Sequence, residues 1–99
     1  MERFNRGETA SLKFEMYDRM SNQLVDCDDG YPTITITDAE DTARVTTTEM
    51  ERLSTGVYYY NYSIGAAYPA GWHNIDVIGV ATTANGICRE RERWAIKVV

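Results

Sequence analysis

A two-layer, all-β sandwich is the fold class this chain predicts, and three observations lead to it. Apolar and polar residues alternate with a period of two along most of the chain, as they do on strands whose successive side chains face opposite ways. Gly, Pro, Asn and Asp punctuate those runs at short intervals. Helical spacing is almost absent. A parallel α/β sheet would show continuous apolar runs between helices, so about seven short antiparallel strands are expected, in a sandwich in preference to a small barrel.

The strands follow in order. Phe4 sits in a short leading strand. From Thr9 to Asp18, Ala10, Leu12, Phe14 and Met16 share one face, and Thr9, Ser11, Lys13 and Glu15 the other. A polar loop from Ser21 to Gly30 ends at Pro32; in the next strand Ile34 and Ile36 point inward, and Thr33, Thr35 and Thr37 point outward, where β-branching suits an exposed pleat. After the "DAED" turn comes "ARVTTTEM", with Ala43, Val45 and Thr47 inward. Thr48 followed by Glu51 matches a capping box, which predicts one helical turn from Thr48 to Leu53, with Met50 and Leu53 on one side, before Ser54-Thr55-Gly56 stops it.

The stretch from Gly56 to Val80 predicts an antiparallel hairpin. "GVYYYNYSI" and "WHNIDVIGV" both alternate, and Tyr68-Pro69-Ala70-Gly71 turns the chain between them. Tyr58, Tyr60 and Tyr62 share a face, as do His73, Ile75 and Val77. Asn85-Gly86 signals a type I′ turn. The last run places Trp94, Ile96 and Val98 on one face, so Tyr60, Ile75 and Trp94 are expected to meet in the core.

With 99 residues the chain is read as one domain, 1–99. Ten basic against fifteen acidic residues leave a net charge of −5, which opposes binding to the polyanions nucleic acid and acidic lipid. The chain has no run of about 18 apolar residues, the length needed to span a bilayer as a helix. The start "MERFNRGETA" carries charges where a signal peptide needs an apolar core, so with a native Met1 synthesis and retention in the cytoplasm, or release within a larger particle, are expected. Cys27 and Cys88 lack metal-ligand spacing and read as two unlinked thiols.

Within this frame "G-x-Y-x-Y-x-Y" at Gly56 to Tyr62, "G-x-H-x-I-x-V" at Gly71 to Val77, and Trp94, Ile96 and Val98 resemble the last three strands of filamin-type immunoglobulin-like domains. The resemblance covers roughly the C-terminal half and implies an immunoglobulin-like sandwich. Glu92 and Arg93 stand where filamin repeats have Ser-Pro, so actin crosslinking does not carry over. A lone domain of this type also resembles the small immunoglobulin-like modules that tailed bacteriophages carry on heads, necks and tails. The topology implied would bring Cys27 and Cys88 to one end of the sandwich.

No catalytic constellation emerges from the sequence. His73 is the only histidine and reads as a structural imidazole; a Ser63, His73, Asp76 set has no supporting motif, and Asp76 points away from His73. Asp26, Asp28 and Asp29 have no EF-hand spacing and read as a solvated loop whose Ca²⁺ binding stays open. Asp38 reads as a turn former. The run from Arg89 to Arg93 puts Arg89, Arg91 and Arg93 on one face and Glu90 and Glu92 on the other, either as a charged edge that blocks aggregation or as a docking stripe. Tyr59 and Trp72 are expected to be exposed, with Tyr68 at the turn, and such aromatics mark contact surfaces.

The expectation is therefore a non-enzymatic structural or interaction module without cofactor or metal. Its partner-binding residues would be Tyr59, Tyr68, Trp72, Arg89, Arg91 and Arg93, and its partner a protein, a viral capsid or tail protein on the phage resemblance, with oligomers formed only within that assembly. The alternative is a cell-surface or secreted adhesion or carbohydrate-binding domain.

Overall fold

The computed structural model describes residues 3–99. Ten strands and no helix occur among them: β1 (Arg3–Phe4), β2 (Thr9–Glu15), β3 (Tyr17–Asp18), β4 (Gln23–Leu24), β5 (Thr33–Thr37), β6 (Ala43–Glu49), β7 (Glu51–Ser54), β8 (Val57–Ser63), β9 (Gly71–Thr83) and β10 (Gly86–Val98). With no helix there is none long and apolar enough to cross a membrane. Five strands form one sheet in the order β1-β10-β9-β5-β6 and three a second in the order β2-β8-β7, while β3 and β4 make a small ribbon. β1 runs parallel to β10; the other pairs are antiparallel.

The architecture is all-β and sandwich-like. Strict alternation on β2 buries Ala10, Leu12 and Phe14 and exposes the residues between them. These side chains and Tyr58 and Tyr62 of β8 pack in one core with Ile34, Ile36, Ile75, Val77, Ile96 and Val98 of the larger sheet. The hairpin of β9 and β10, 13 residues each, runs nearly the full 46 Å of the molecule.

Ten strands replace the expected seven partly because the run from Thr9 to Asp18 divides. Met16 donates its N–H to the Gly56 carbonyl at 2.8 Å and accepts from Val25 N at 3.0 Å, so the chain leaves the sheet and Tyr17–Asp18 joins the ribbon. Gly56 is required there. Its φ is +69°, and an added Cβ would sit 2.9 Å from Val25 N and 3.0 Å from Met16 O.

Four local expectations are corrected. β8 and β9 do not form a hairpin: they lie in different sheets, and residues 64–70 cross between them. No helical turn forms from Thr48 to Leu53, because β6 continues through the β-branched Thr46 and Thr48 to Glu49 and Met50 is buried where the chain passes from β6 to β7; Leu53 is 59% exposed. Ala43 and Thr47 face solvent, Thr47 at a φ of +40° beside an irregularity in the β5–β6 register. The last hairpin turns through Ala84 and Asn85, with Thr83 paired to Gly86 and positive φ at Gly86 alone, so it is not the expected type I′ turn.

Tyr60, Ile75 and Trp94 meet the core unequally. Ile75 is fully buried, whereas Tyr60 and Trp94 are half-buried and pack against its margin.

Candidate functional site

The outward face of the larger sheet carries the main charged and aromatic group. Register places Lys97 beside Trp72, Ala95 beside Asn74, Arg93 beside Asp76, and Arg91 beside Ile78. Alternation thus lines Arg89, Arg91, Arg93 and Lys97 along one row of β10. Asp76 is the one carboxylate in ion-pair range of that row among the described residues. It receives Arg91 in bidentate fashion, Nε at 3.0 Å and Nη2 at 2.6 Å, with Arg93 Nε at 3.8 Å. The Arg91 hydrogen bonds hold the Asp76 carboxyl below its usual range against the opposing effect of burial, with the charges of Arg91 and Arg93 adding to them.

Trp72 is 45% exposed, and the Lys97 ammonium lies 5.1 Å from its ring centroid. Two residues further along β9, a depression of about 510 Å³ opens over Ala95, with Thr35, Thr37, Asn74, Asp76 and Arg93 around it. Small side chains in the middle of the face create it.

Tyr59 and Tyr68 are not part of this face. Tyr59 lies on β8 in the smaller sheet, between Lys13 and Glu51, and its hydroxyl donates to Glu51 Oε2 at 2.6 Å. Tyr68 is half-buried in the crossover, its ring 6.4 Å from Tyr62 and capped by the Arg44 guanidinium at 4.2 Å. Of the six candidates, the fold assembles Trp72, Arg89, Arg91 and Arg93.

Interior polar groups bind each other. His73 Nε2 lies 2.9 Å from the Pro69 carbonyl, which only accepts, so that nitrogen carries the hydrogen and Nδ1 accepts from the Tyr62 hydroxyl at 2.9 Å. Both ring nitrogens are thereby occupied. Burial pushes the Tyr62 hydroxyl up to about 12. Ser63 is exposed on the smaller sheet and Asp76 faces outward from the larger one, so Ser63, His73 and Asp76 are not brought together.

Asp38 does more than form a turn. It is buried, accepts from Glu40 N at 2.8 Å and Thr42 N at 3.1 Å, and pairs with Arg44 Nε at 2.7 Å. Burial would raise its carboxyl, but those amides and Arg44 outweigh it and keep the group below its usual value. The acidic loop is likewise tied down: Asp26 accepts from Arg52 and Gly56 N, and Asp28 from the Thr82 amide and hydroxyl. No group of three His, Cys, Asp or Glu suited to a metal ion occurs among the described residues. Asp18, which the sequence reading passed over, is also buried and accepts from Met20 N and Asn85 Nδ2. Cys27 and Cys88 are free, and burial pushes the Cys27 thiol up to about 11, away from thiolate chemistry.

Comparison with protein-family models, with curated proteins and with solved structures finds no match to this chain.

Proposed function

We propose that this chain is a non-enzymatic interaction module with an immunoglobulin-like sandwich, docking through the outward face of its larger sheet as part of a tailed-phage virion. The strand orders β1-β10-β9-β5-β6 and β2-β8-β7, with β1 parallel to β10, support the immunoglobulin-like reading. One observation carries the docking role: a row of four cations on a protein of net charge −5, ending at Lys97 beside an exposed Trp72. Such a row steers an acidic partner into place while the aromatic supplies apolar contact. The virion assignment, with synthesis in the host cytoplasm, rests on the resemblance of the sequence to phage modules. The test is co-sedimentation with phage particles: Trp72→Ala should keep its fold and lose particle binding, and Arg89→Ala/Arg93→Ala should weaken binding chiefly at low salt. Normal sedimentation by both folded variants overturns the reading.

A second reading, a surface domain that binds carbohydrate, is favoured by the depression beside Trp72. Thr35, Thr37 and Asn74 there offer the hydrogen-bonding groups that sugar hydroxyls need, and Trp72 lies two residues from Asn74 on the same outward face of β9. Quenching of Trp72 fluorescence by a soluble oligosaccharide supports it; no quenching across a glycan panel rejects it.

A further inference from the structure

The side of the sandwich at β2 and β10 is open. β1 pairs with β10 only at Lys97 and Val98, so among the described residues no strand covers β10 from Ile87 to Trp94 on the side away from β9. β2 likewise has one neighbour, β8. The consequence shows in the side chains. Cys88, Ile96 and Val98 on the inward face of β10 are buried, whereas Glu90, Glu92 and Trp94 on that same face are not. Between the two edges runs a groove, about 290 Å³ of it lined by Ser11, Leu12, Lys13, Glu92 and Trp94.

The orientation of the free backbone groups follows from the ends of this edge. Val99 donates to the Phe4 carbonyl at 2.9 Å and accepts from Arg6 N at 3.4 Å, so its N–H and C=O point away from β9. Antiparallel pairing alternates that direction every residue, which turns the N–H and C=O of Arg89, Arg91 and Arg93 to the open side. Arg19 Nη2, which donates to the Arg89 carbonyl at 2.6 Å, fits this phase and stops the edge at that point. Arg91 and Arg93 present a short template for one more strand.

We propose that this edge takes up an extended segment of another protein as an added β-strand, with acidic side chains on its outward face and aliphatic ones over Leu12 and Trp94. Charge selects the occupant. The outward row of Arg89, Arg91, Arg93 and Lys97 is offset by Asp76 alone among the described residues. A second copy is opposed by the same row: a two-fold axis through the sheet keeps outward residues outward, so cations would lie beside cations and Glu90 and Glu92 beside their own kind. Residues that guard the edge against self-pairing thus favour an acidic strand. The proposal rests on reading the chain as an interaction module, but uses the backbone edge in place of the sheet face.

The probe is an acetylated ten-residue peptide alternating valine and glutamate, with a valine–lysine peptide as control, followed by amide hydrogen exchange. Expected are slowed exchange at the Arg91 and Arg93 amides and no binding of the lysine peptide. Arg93→Pro removes an edge donor without breaking the β9 ladder and should weaken binding about tenfold, whereas Arg93→Thr, which removes only the charge, should cost about threefold. If Arg93→Pro does not fold, the charge-reversed Arg89→Glu/Arg93→Glu variant decides, since its preference should switch to the lysine peptide. Trp72→Ala should bind the peptide normally. Peptide binding that leaves Arg91 and Arg93 exchange unchanged, no binding at all, or slowing that grows with protein concentration alone overturns strand addition. Loss of particle binding in Trp72→Ala with no peptide effect at the edge would leave the face-docking reading standing.

Discussion

The side of the sandwich at β6 and β7 is closed, whereas the side at β2 and β10 is open. At the first, the chain itself passes from one sheet to the other: β6 ends at Glu49, Met50 is buried with its N–H on the Pro32 carbonyl, and β7 begins at Glu51. Register irregularities in both flanking pairs and the positive φ at Thr47 bend the strands round this corner. At the second, no segment among the described residues links the sheets between Glu92 and Lys13, and inward positions there hold carboxylates. An inward-facing residue is therefore buried only where the opposite sheet, or a crossing strand, reaches over it.

Substitutions on the two sides should separate accordingly. Met50→Ala removes a buried side chain at the closed corner and should cost about 2–4 kcal/mol by urea unfolding. Gly56→Ala, which forces a Cβ onto the Val25 and Met16 backbone at positive φ, should cost about 2 kcal/mol. On the open side Trp94→Ala should cost about 1–2 kcal/mol, less than a fully buried aromatic because part of its surface is already wet. Glu92→Ala should stay within about 0.5 kcal/mol. An open-side cost equal to that of Met50→Ala would mean that the groove is closed in solution.

Acid offers the mildest test. Asp18, Asp26, Asp38 and Asp76 all lie below the ordinary value of 3.8 in the folded chain, held there chiefly by backbone amides and arginines. The folded state then binds fewer protons than the unfolded one near that pH, so their stabilisation is complete above it and fades as pH falls through the lower folded values. The urea midpoint should be flat from neutral pH to about 5 and drop below about 4. Asp38→Asn should flatten that drop.

Much of each strand is legible in the sequence alone. Alternation on β2, the inward Ile34 and Ile36, and the buried Ile96 and Val98 follow from a period of two, because a strand's own geometry decides which of its residues share a face. The outward arginine row is legible for the same reason. Pairing is not. The alternation of β8 and β9 shows two strands, but only the packed structure puts them in separate sheets, joined across the core by the bond from Tyr62 to His73. That separation places Tyr59 and Trp72 on opposite outer faces, and so divides a site that looked single along the chain. The burial of Asp18, paired with Asn85 at a separation of 67 residues, is equally a tertiary outcome. Local spacing determined which side of each strand each residue occupies; contacts between distant residues decided which sheet each strand joined, because backbone pairing depends on partners that spacing along one strand does not specify.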